Sequence, residues 1–458
     1  MSELAYKRTN VYEQADEKLM KEIFAYAEGY KTFLDEGKTE REVCAFVVEE
    51  AKKAGYKPFE FGMKLNAGDK VYYNNRGKNI YLIRMGKADV AKDGIRILAS
   101  HIDSPRIDLK QVPLYEADGI ALAKTHYYGG IRKYQWATIP LALHGTVMLK
   151  NGEKLEVRIG EAETDPVFYI SDLLPHLAAK QNAKPLGEAI EGEGLNIWFG
   201  NIPYVGAENE KDKTVKENVL KILNEKYGMV EADFLSAELS LVPAFKARDI
   251  GFDRALIGAY GHDDRVCSYP AYTALFDEAS EEHTVMVVLA DKEEIGSEGT
   301  TGMQCAIFTD LIDAIASSAG TTSAAVRANS KCLSADVNAA FDPNYPEVLE
   351  KMNATYLSHG AGVTKFTGAR GKSGSSDADA EYVGFLRKLF DDNGVIWQTG
   401  ELGKVDVGGG GTVAKYIAQM NIDTIDIGVA VISMHAPYEV VSKADVYETY
   451  LAFRAFIK

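Results

Sequence analysis

The chain predicts an α/β protein with a separate β-rich domain inserted into it, and three features lead there. Apolar, β-branched runs at 95–100, 285–290 and 424–432 alternate with stretches of helical apolar spacing, the pattern of strands covered by helices. Between about 106 and 249 this gives way to successive strand-like segments with few helical ones. At Ile250 the first texture returns. The expected division is a discontinuous α/β domain of residues 1–105 plus 250–458, and a β-rich insert of 106–249.

From Val11 to about Ala54 the apolar residues recur at helical spacing, and Thr39-x-x-Glu42 ahead of Val43, Phe46 and Val47 is a capping box opening the second of two helices. Strands are expected at 70–74, 79–84 and 95–100, the last running into His101-Ile-Asp103-Ser-Pro105. In the insert, strands are expected at 109–115, 120–124, 137–149 and 154–159, and helices at 171–180 and 214–227. Two acidic stretches, 187–194 and 208–213, have the composition of surface loops.

Beyond the insert, Tyr260-Gly-His-Asp-Asp264-Arg265 heads a helix, and the run 285–290 delivers Glu293-Glu294. A helix near 310–318 precedes a strand-like run from Lys331 that ends in Asp336. The Gly/Ser-rich, basic segment 368–376 is expected as a mobile loop before a helix over 377–390. Four glycines, 408–411, precede a helix from about Thr412, and the spacing predicts a strand over 424–432 leading to Ser433-Met-His435. Ser442-x-x-Asp445 opens the last helix in the manner of a capping box.

The 458 residues are 46% hydrophobic and 26% charged, which suffices for a large core. A formal net charge of −16 argues against nucleic acid and anionic membrane as partners, both of which call for clustered Lys and Arg. The cysteines at 44, 267, 305 and 332 form no Cys-x-x-Cys pair, so neither a disulfide framework nor a thiolate zinc site is indicated. With no signal-like apolar segment and no run near the ~20 residues of a membrane helix, a soluble, cytoplasmic protein is expected.

Five ends of expected strands or turns carry His101, Asp264, Glu293/Glu294, Asp336 and His435. Each alone has an ordinary reading: a structural histidine, a solvated acidic face, a helix N-cap pair at Asp263-Asp264. Together they supply two imidazoles, three carboxylates and one spare carboxylate. That inventory suits two metal ions sharing a bridging carboxylate, with the spare Glu as base. Glu293 and Glu294 are adjacent, so their side chains diverge and one can hold metal while the other moves a proton. Asp103, two residues beyond His101, is placed to hold the second imidazole nitrogen and counts with Glu293 among the catalytic groups.

In order along the chain, His101-x-Asp103-x-Pro105-Arg106, Gly261-His-Asp-Asp264-Arg265, Glu293-Glu294-Ile-Gly-Ser297, Ser334-Ala-Asp336 and Ser433-Met-His435 resemble the motifs of the aspartyl aminopeptidase and vacuolar aminopeptidase I family. The resemblance extends over nearly the whole chain. It implies a zinc-exopeptidase-like three-layer α/β/α catalytic domain and an inserted dimerisation domain. It further implies hydrolysis of the N-terminal residue from peptides with a free N-terminus. By the same resemblance His435, Glu294 and Asp264 hold one divalent metal ion, and His101, Asp336 and Asp264 hold the other. The ions are zinc, with cobalt or manganese accommodated by the same donors, and Glu293 is the general base. The family pattern also implies dimers assembling into a dodecamer, with His176 of Pro175-His176-Leu177 reaching a neighbouring subunit's site. The segment around Lys133-Tyr-Gln-Trp136 resembles the bacterial branch, so a preference for acidic N-terminal residues is not implied.

Lys365 and Arg370 are candidates to meet a substrate carboxylate, with Lys372 beside them; plain loop charge is the alternative. The four glycines read as a tight turn at the site's rim or an anion cradle, but without Gly-x-x-x-x-Gly-Lys-Ser/Thr they are no nucleotide loop. Two other functions stay open at this level: a dinuclear deacylase or carboxypeptidase-like amidohydrolase, and a shell-forming assembly protein without chemistry.

Overall fold

The computed structural model describes residues 4–206, 209 and 213–458, so most of the acidic stretch 208–213 lies outside the described residues. The chain forms two compact units, one of Met1–Ser104, Ala247–Met434 and Glu439–Lys458, the other of Pro105–Lys246 and His435–Tyr438.

The first unit is built on a nine-stranded sheet. Its strands run in the order Lys57–Pro58, Lys70–Asn75, Asn79–Arg84, Thr284–Ala290, Ile95–His101, Lys331–Ala335, Asp423–Gly428, Ala361–Thr364 and Trp397–Thr399. The central four, from Thr284–Ala290 to Asp423–Gly428, are mutually parallel, with Ala290 opposite His101 and Ser334 opposite Ala99. Parallel pairing is decisive for function because it brings the C-terminal ends of these strands to one edge of the sheet.

Both faces of the sheet are covered. Along Thr284–Ala290, Val285, Val287 and Leu289 join one buried cluster with Tyr30, Phe33, Val47 and Phe453, while Met286, Val288 and Ala290 join another with Phe308, Leu311 and Ile315. Continuous apolar sequence is therefore what this strand requires, since each alternate side chain meets a helix layer. Helices Glu17–Glu36, Glu40–Lys53, His262–Asp277, Ala380–Asp392 and Lys443–Ile457 supply the first cluster, and Ile307–Ser318 the second, giving three layers, α/β/α. The Thr39/Glu42 capping box is present at the head of Glu40–Lys53.

A second sheet of five short strands orders Arg248–Ile250, Leu256–Ala259, Glu439–Ser442, Ala430–Ile432 and Asn338–Ala339. The strand expected over 424–432 is thus two strands, Asp423–Gly428 and Ala430–Ile432, which enter different sheets on either side of Val429. Ser442-x-x-Asp445 is no capping box. The Ser442 side chain makes no cap hydrogen bond, and Asp445 accepts the backbone N–H groups of Ser358 and Gly360, both at 2.7 Å. The four glycines act partly as a strand, Gly409–Gly410 pairing antiparallel with Gly368–Ala369, and the helix after them runs only over Ala414–Ala418.

The second unit is a six-stranded sheet ordered Lys154–Ile159, Leu141–Met148, Ala237–Pro243, Arg106–Ala117, Ile120–Tyr128 and Ile197–Gly200, every pairing antiparallel. Helix Val215–Tyr227 packs Val215 and Val219 on Leu114 and Ala121. The helix expected over 171–180 is only a 3-10 turn, Pro175–Leu177, and one α-turn, Ala179–Asn182. Pro175 explains this: it disfavours helical backbone at Leu174, which is extended at φ −68°, ψ 151°. The acidic stretch 187–194 includes the single turns Leu186–Ala189 and Gly192–Gly194. Among the described residues no helix is long and apolar enough to cross a membrane.

Candidate metal centre and active site

His101 ends its strand with its ring almost wholly buried. Its Nδ1 lies 3.0 Å from the Asp103 backbone carbonyl and 3.4 Å from Asp103 Oδ1. A carbonyl only accepts, so Nδ1 carries the proton and the Nε2 lone pair points the other way. There it faces Asp263 Oδ1 at 3.2 Å and Asp336 Oδ1 at 3.9 Å. Two carboxylates facing that nitrogen call for positive charge there, which either the ring's own second proton or a metal ion supplies.

Among the described residues, two groups of potential ligand atoms meet within 4.8 Å: His101, Glu293 and Asp336, and His101, Asp263 and Glu294. The donor set, one imidazole among carboxylates, is that of a hard or borderline divalent ion, and it fits metal. Its electrostatics agree. Burial alone would lower the His101 pKa, but the Asp103 and Asp263 carboxylates, with Asp336 beyond them, hold it well above the ordinary value. Burial pushes Asp336 well above the carboxylate range; His101 opposes this, while Asp264, Asp263 and Glu293 add to it.

The structure distinguishes the two members of the Asp263-Asp264 pair. Of the Asp263-Asp264 pair it is Asp263 that faces the His101 ring, whereas Asp264 Oδ2 accepts the His101 backbone N–H at 3.4 Å. Both residues have non-helical backbone, φ −80°, ψ 108° at Asp263 and φ −115°, ψ 28° at Asp264, so their side chains diverge. Asp263 is thus the member of the pair whose carboxylate lies beside the His101 ring, and Asp264 the fully buried member bonded to the His101 backbone. No sequence signal separates the two.

Glu293 and Glu294 open a 3-10 turn, Glu293–Ile295, directly after the strand. Asp103 organises that turn: its Oδ1 accepts the Glu293 N–H at 3.1 Å and its Oδ2 the Glu294 N–H at 3.2 Å. The carboxylate thus fixes the turn as its own carbonyl fixes the imidazole. Sequence reasoning had placed only the imidazole with it.

His435 belongs to the segment His435–Tyr438 of the second unit, and its Nδ1 donates to the Gly130 carbonyl at 2.8 Å. Its tautomer is thereby set like that of His101. His176 sits on the exposed turn Pro175–Leu177. Lys365 and Lys372 both pair with Asp377, while Arg370 lies exposed with φ 52° on the same loop. Ser104 and Arg265, inside the first two motifs, and Glu439, just beyond the last, also contact the site's backbone.

Over residues 33–457 the chain matches the family described as Aminopeptidase I zinc metalloprotease (M18). It belongs to that family. The probable M18 family aminopeptidase 1 of Clostridium acetobutylicum is 48% identical across 100% of this chain and 99% of its own length. The crystal structure of the M18 aminopeptidase from Thermotoga maritima superposes with a TM-score of 0.94 at 43% identity, covering 99% of this chain and 100% of that one. The S. cerevisiae mApe1 dodecamer shares the fold, with a TM-score of 0.76 at 24% identity over 94% of this chain and 95% of that one. This M18 protein is a hydrolase of the aminopeptidase class.

Proposed function

We propose that the M18 chemistry of this chain runs on two divalent ions, with His101, Asp336 and Asp263 around one and His435, Glu294 and Asp263 around the other. The observation that carries the reading is that Asp263 and Asp336 face His101 Nε2, and that Glu293 and Glu294 each belong to a group of potential ligand atoms, His101 included, lying within 4.8 Å of one another. The Nδ1–H of His435, given to a carbonyl, supports Nε2 as its ligating atom. Ions held there supply Lewis acidity to an amide carbonyl and lower the pKa of water.

The side chains do the rest. Glu293 takes the proton of the attacking water and returns it to the departing amine, a transfer typically contributing ~10²–10⁴-fold. Glu294, on the same turn, stays fixed as a ligand because Asp103 clamps both of their N–H groups. A free substrate amine, cationic or as a neutral donor, suits a pocket with this excess of carboxylate. Lys365, Arg370 and His176 are assigned to substrate contacts further out, His176 from a neighbouring subunit.

We also read the insert as a dimerisation domain and the assembly as a dodecamer built from dimers. Its segment around the 3-10 turn exposes Val167, Leu173, Leu174, Leu177 and Leu186, each at least half accessible in the single chain, and this apolar exposure supports a partner surface there. The four free cysteines support a reducing, cytoplasmic setting.

The test is a panel of aminoacyl chromogenic amides with free and N-acetylated amines, assayed after chelation and after restoring Zn, Co or Mn. Metal-restorable cleavage of the free-amine set alone is expected. Cleavage of the acetylated set would favour a deacylase and overturn the aminopeptidase mechanism. Light scattering at the mass of a monomer would overturn the assembly reading.

A further inference from the structure

We infer that Glu439 is a positioning residue for the metal centre, acting with Ser104 as a clamp on the two peptide groups of Asp263. The inference rests on the assignment of Asp263 as a ligand. Glu439 Oε2 accepts the Asp263 backbone N–H at 3.3 Å, and Ser104 Oγ donates to the Asp263 carbonyl at 2.7 Å. Both residues are at least 97% buried. They come from opposite ends of the fold in sequence, 176 and 159 residues from Asp263.

The clamp has a defined frame. Glu439 opens strand Glu439–Ser442, paired directly opposite Ala259 at the end of the strand that leads into Tyr260-Gly261-His262. Ser104 follows the strand that carries His101. It is held in turn by the buried Arg265 guanidinium, whose NH2 lies 3.3 Å from Ser104 Oγ and 3.4 Å from the Tyr260 carbonyl, with Nε on the Gly261 carbonyl at 3.0 Å. Gly261, at φ 74°, is required here, because a Cβ would come within 1.4 Å of that guanidinium.

The reason for such a frame is geometric. Asp263 sits where the helix His262–Asp277 has non-helical backbone, so no helix ladder fixes its peptide planes. Two side-chain bonds do so instead, one on each side of Cα. They set the direction in which the carboxylate leaves the chain, toward the His101 ring. Small rotations there move ligand oxygens by amounts that a coordination sphere does not tolerate.

Glu439→Ala removes the acceptor, and Glu439→Gln keeps an amide oxygen for the N–H while removing the charge. Zinc affinity of the metal-stripped protein is measured by competition with a chromophoric chelator. Turnover of an aminoacyl chromogenic amide and the melting temperature are measured alongside. The expected result for Glu439→Ala is a loss of about 10–100-fold in affinity for zinc, with kcat falling and KM changing less than about threefold. Glu439→Gln should restore most of both, and Ser104→Ala should repeat the defect more weakly. In the double variant with Glu439→Ala its effect should be less than additive.

Wild-type zinc affinity in Glu439→Ala overturns the clamp, as does a Gln variant no better than Ala. Should Glu439→Ala fail to fold, Ser104→Ala with and without Glu439→Gln carries the same test, and wild-type affinity in Ser104→Ala overturns the proposal. Asp263→Asn separates the two levels. If it keeps both ions, the ligand assignment fails; if it loses metal while the clamp variants do not, only the clamp fails.

Discussion

Around Asp249, three cations converge on one carboxylate: Lys443 Nζ at 2.8 Å, Lys31 Nζ at 2.9 Å and Arg254 Nε at 2.7 Å. Around His101 the balance is reversed, and Asp263, Asp336, Glu293 and Glu294 crowd one imidazole. Burial raises both Asp249 and Asp336, but the cations more than reverse it for Asp249, which is held well below the usual range. For Asp336 the surrounding acids reinforce burial. The first cluster is completed by the fold itself. The second concentrates carboxylates around one imidazole, the balance that suits a bound cation rather than a structural ion-pair network.

The sharpest way to break the comparison is at the acids. Glu293→Gln is expected to reduce kcat by ~10²–10⁴-fold with metal content unchanged by elemental analysis. Asp264→Asn should keep both ions, so loss of metal there would return the ligand role to Asp264.

Metal removal comes next. Restoring a divalent ion at one hundred times its Kd should stabilise the stripped protein by about 2.7 kcal/mol per independent site, read as a rise in melting temperature. The sign with pH follows from the raised carboxylates. In the metal-free fold Asp336 and Asp264 bind protons that the unfolded chain has already released, so stability falls as pH rises above the ordinary carboxylate value. At one fixed free-metal concentration the metal-induced shift should therefore be larger at pH 8 than at pH 5.

In the cation-rich cluster, Lys443→Met leaves Asp249 with two partners. A cost of about 2 kcal/mol in urea unfolding is expected, below the usual range for stripping a buried pair, with turnover unchanged.

Glu448 sharpens the comparison from a third side. It is buried, its Oε2 accepts the Ile396 N–H at 2.9 Å, and its pKa is raised to about 7 by burial. The folded state holds its proton up to about pH 7 and the unfolded chain only to its ordinary value, so the residue costs stability increasingly as pH rises between the two. Glu448→Gln should raise stability by on the order of 1 to 2 kcal/mol at pH 8, with the gain vanishing near pH 4. A pH-independent effect would show that the acid is not protonated in the fold.

Much of the frame was legible in sequence because its causes are local. The run 285–290 reads as a doubly covered strand from its unbroken apolar character, and Thr39 with Glu42 form the cap that their spacing predicts. Where local signals competed, they misled. Pro175 breaks the helix that the surrounding residues would otherwise form, Ser442 and Asp445 bind the turn at 358–360 in place of a helix terminus, and Val429 divides one apolar run between two sheets.

The sequence by itself determined the layers, the strands that end in candidate ligand residues and the acid-rich donor inventory, since periodicity and composition are properties of short windows. Only the tertiary structure decided that Asp263, and not Asp264, turns toward His101. That choice depends on backbone dihedrals held by Ser104 and Glu439, 159 and 176 residues away, and no local window contains them.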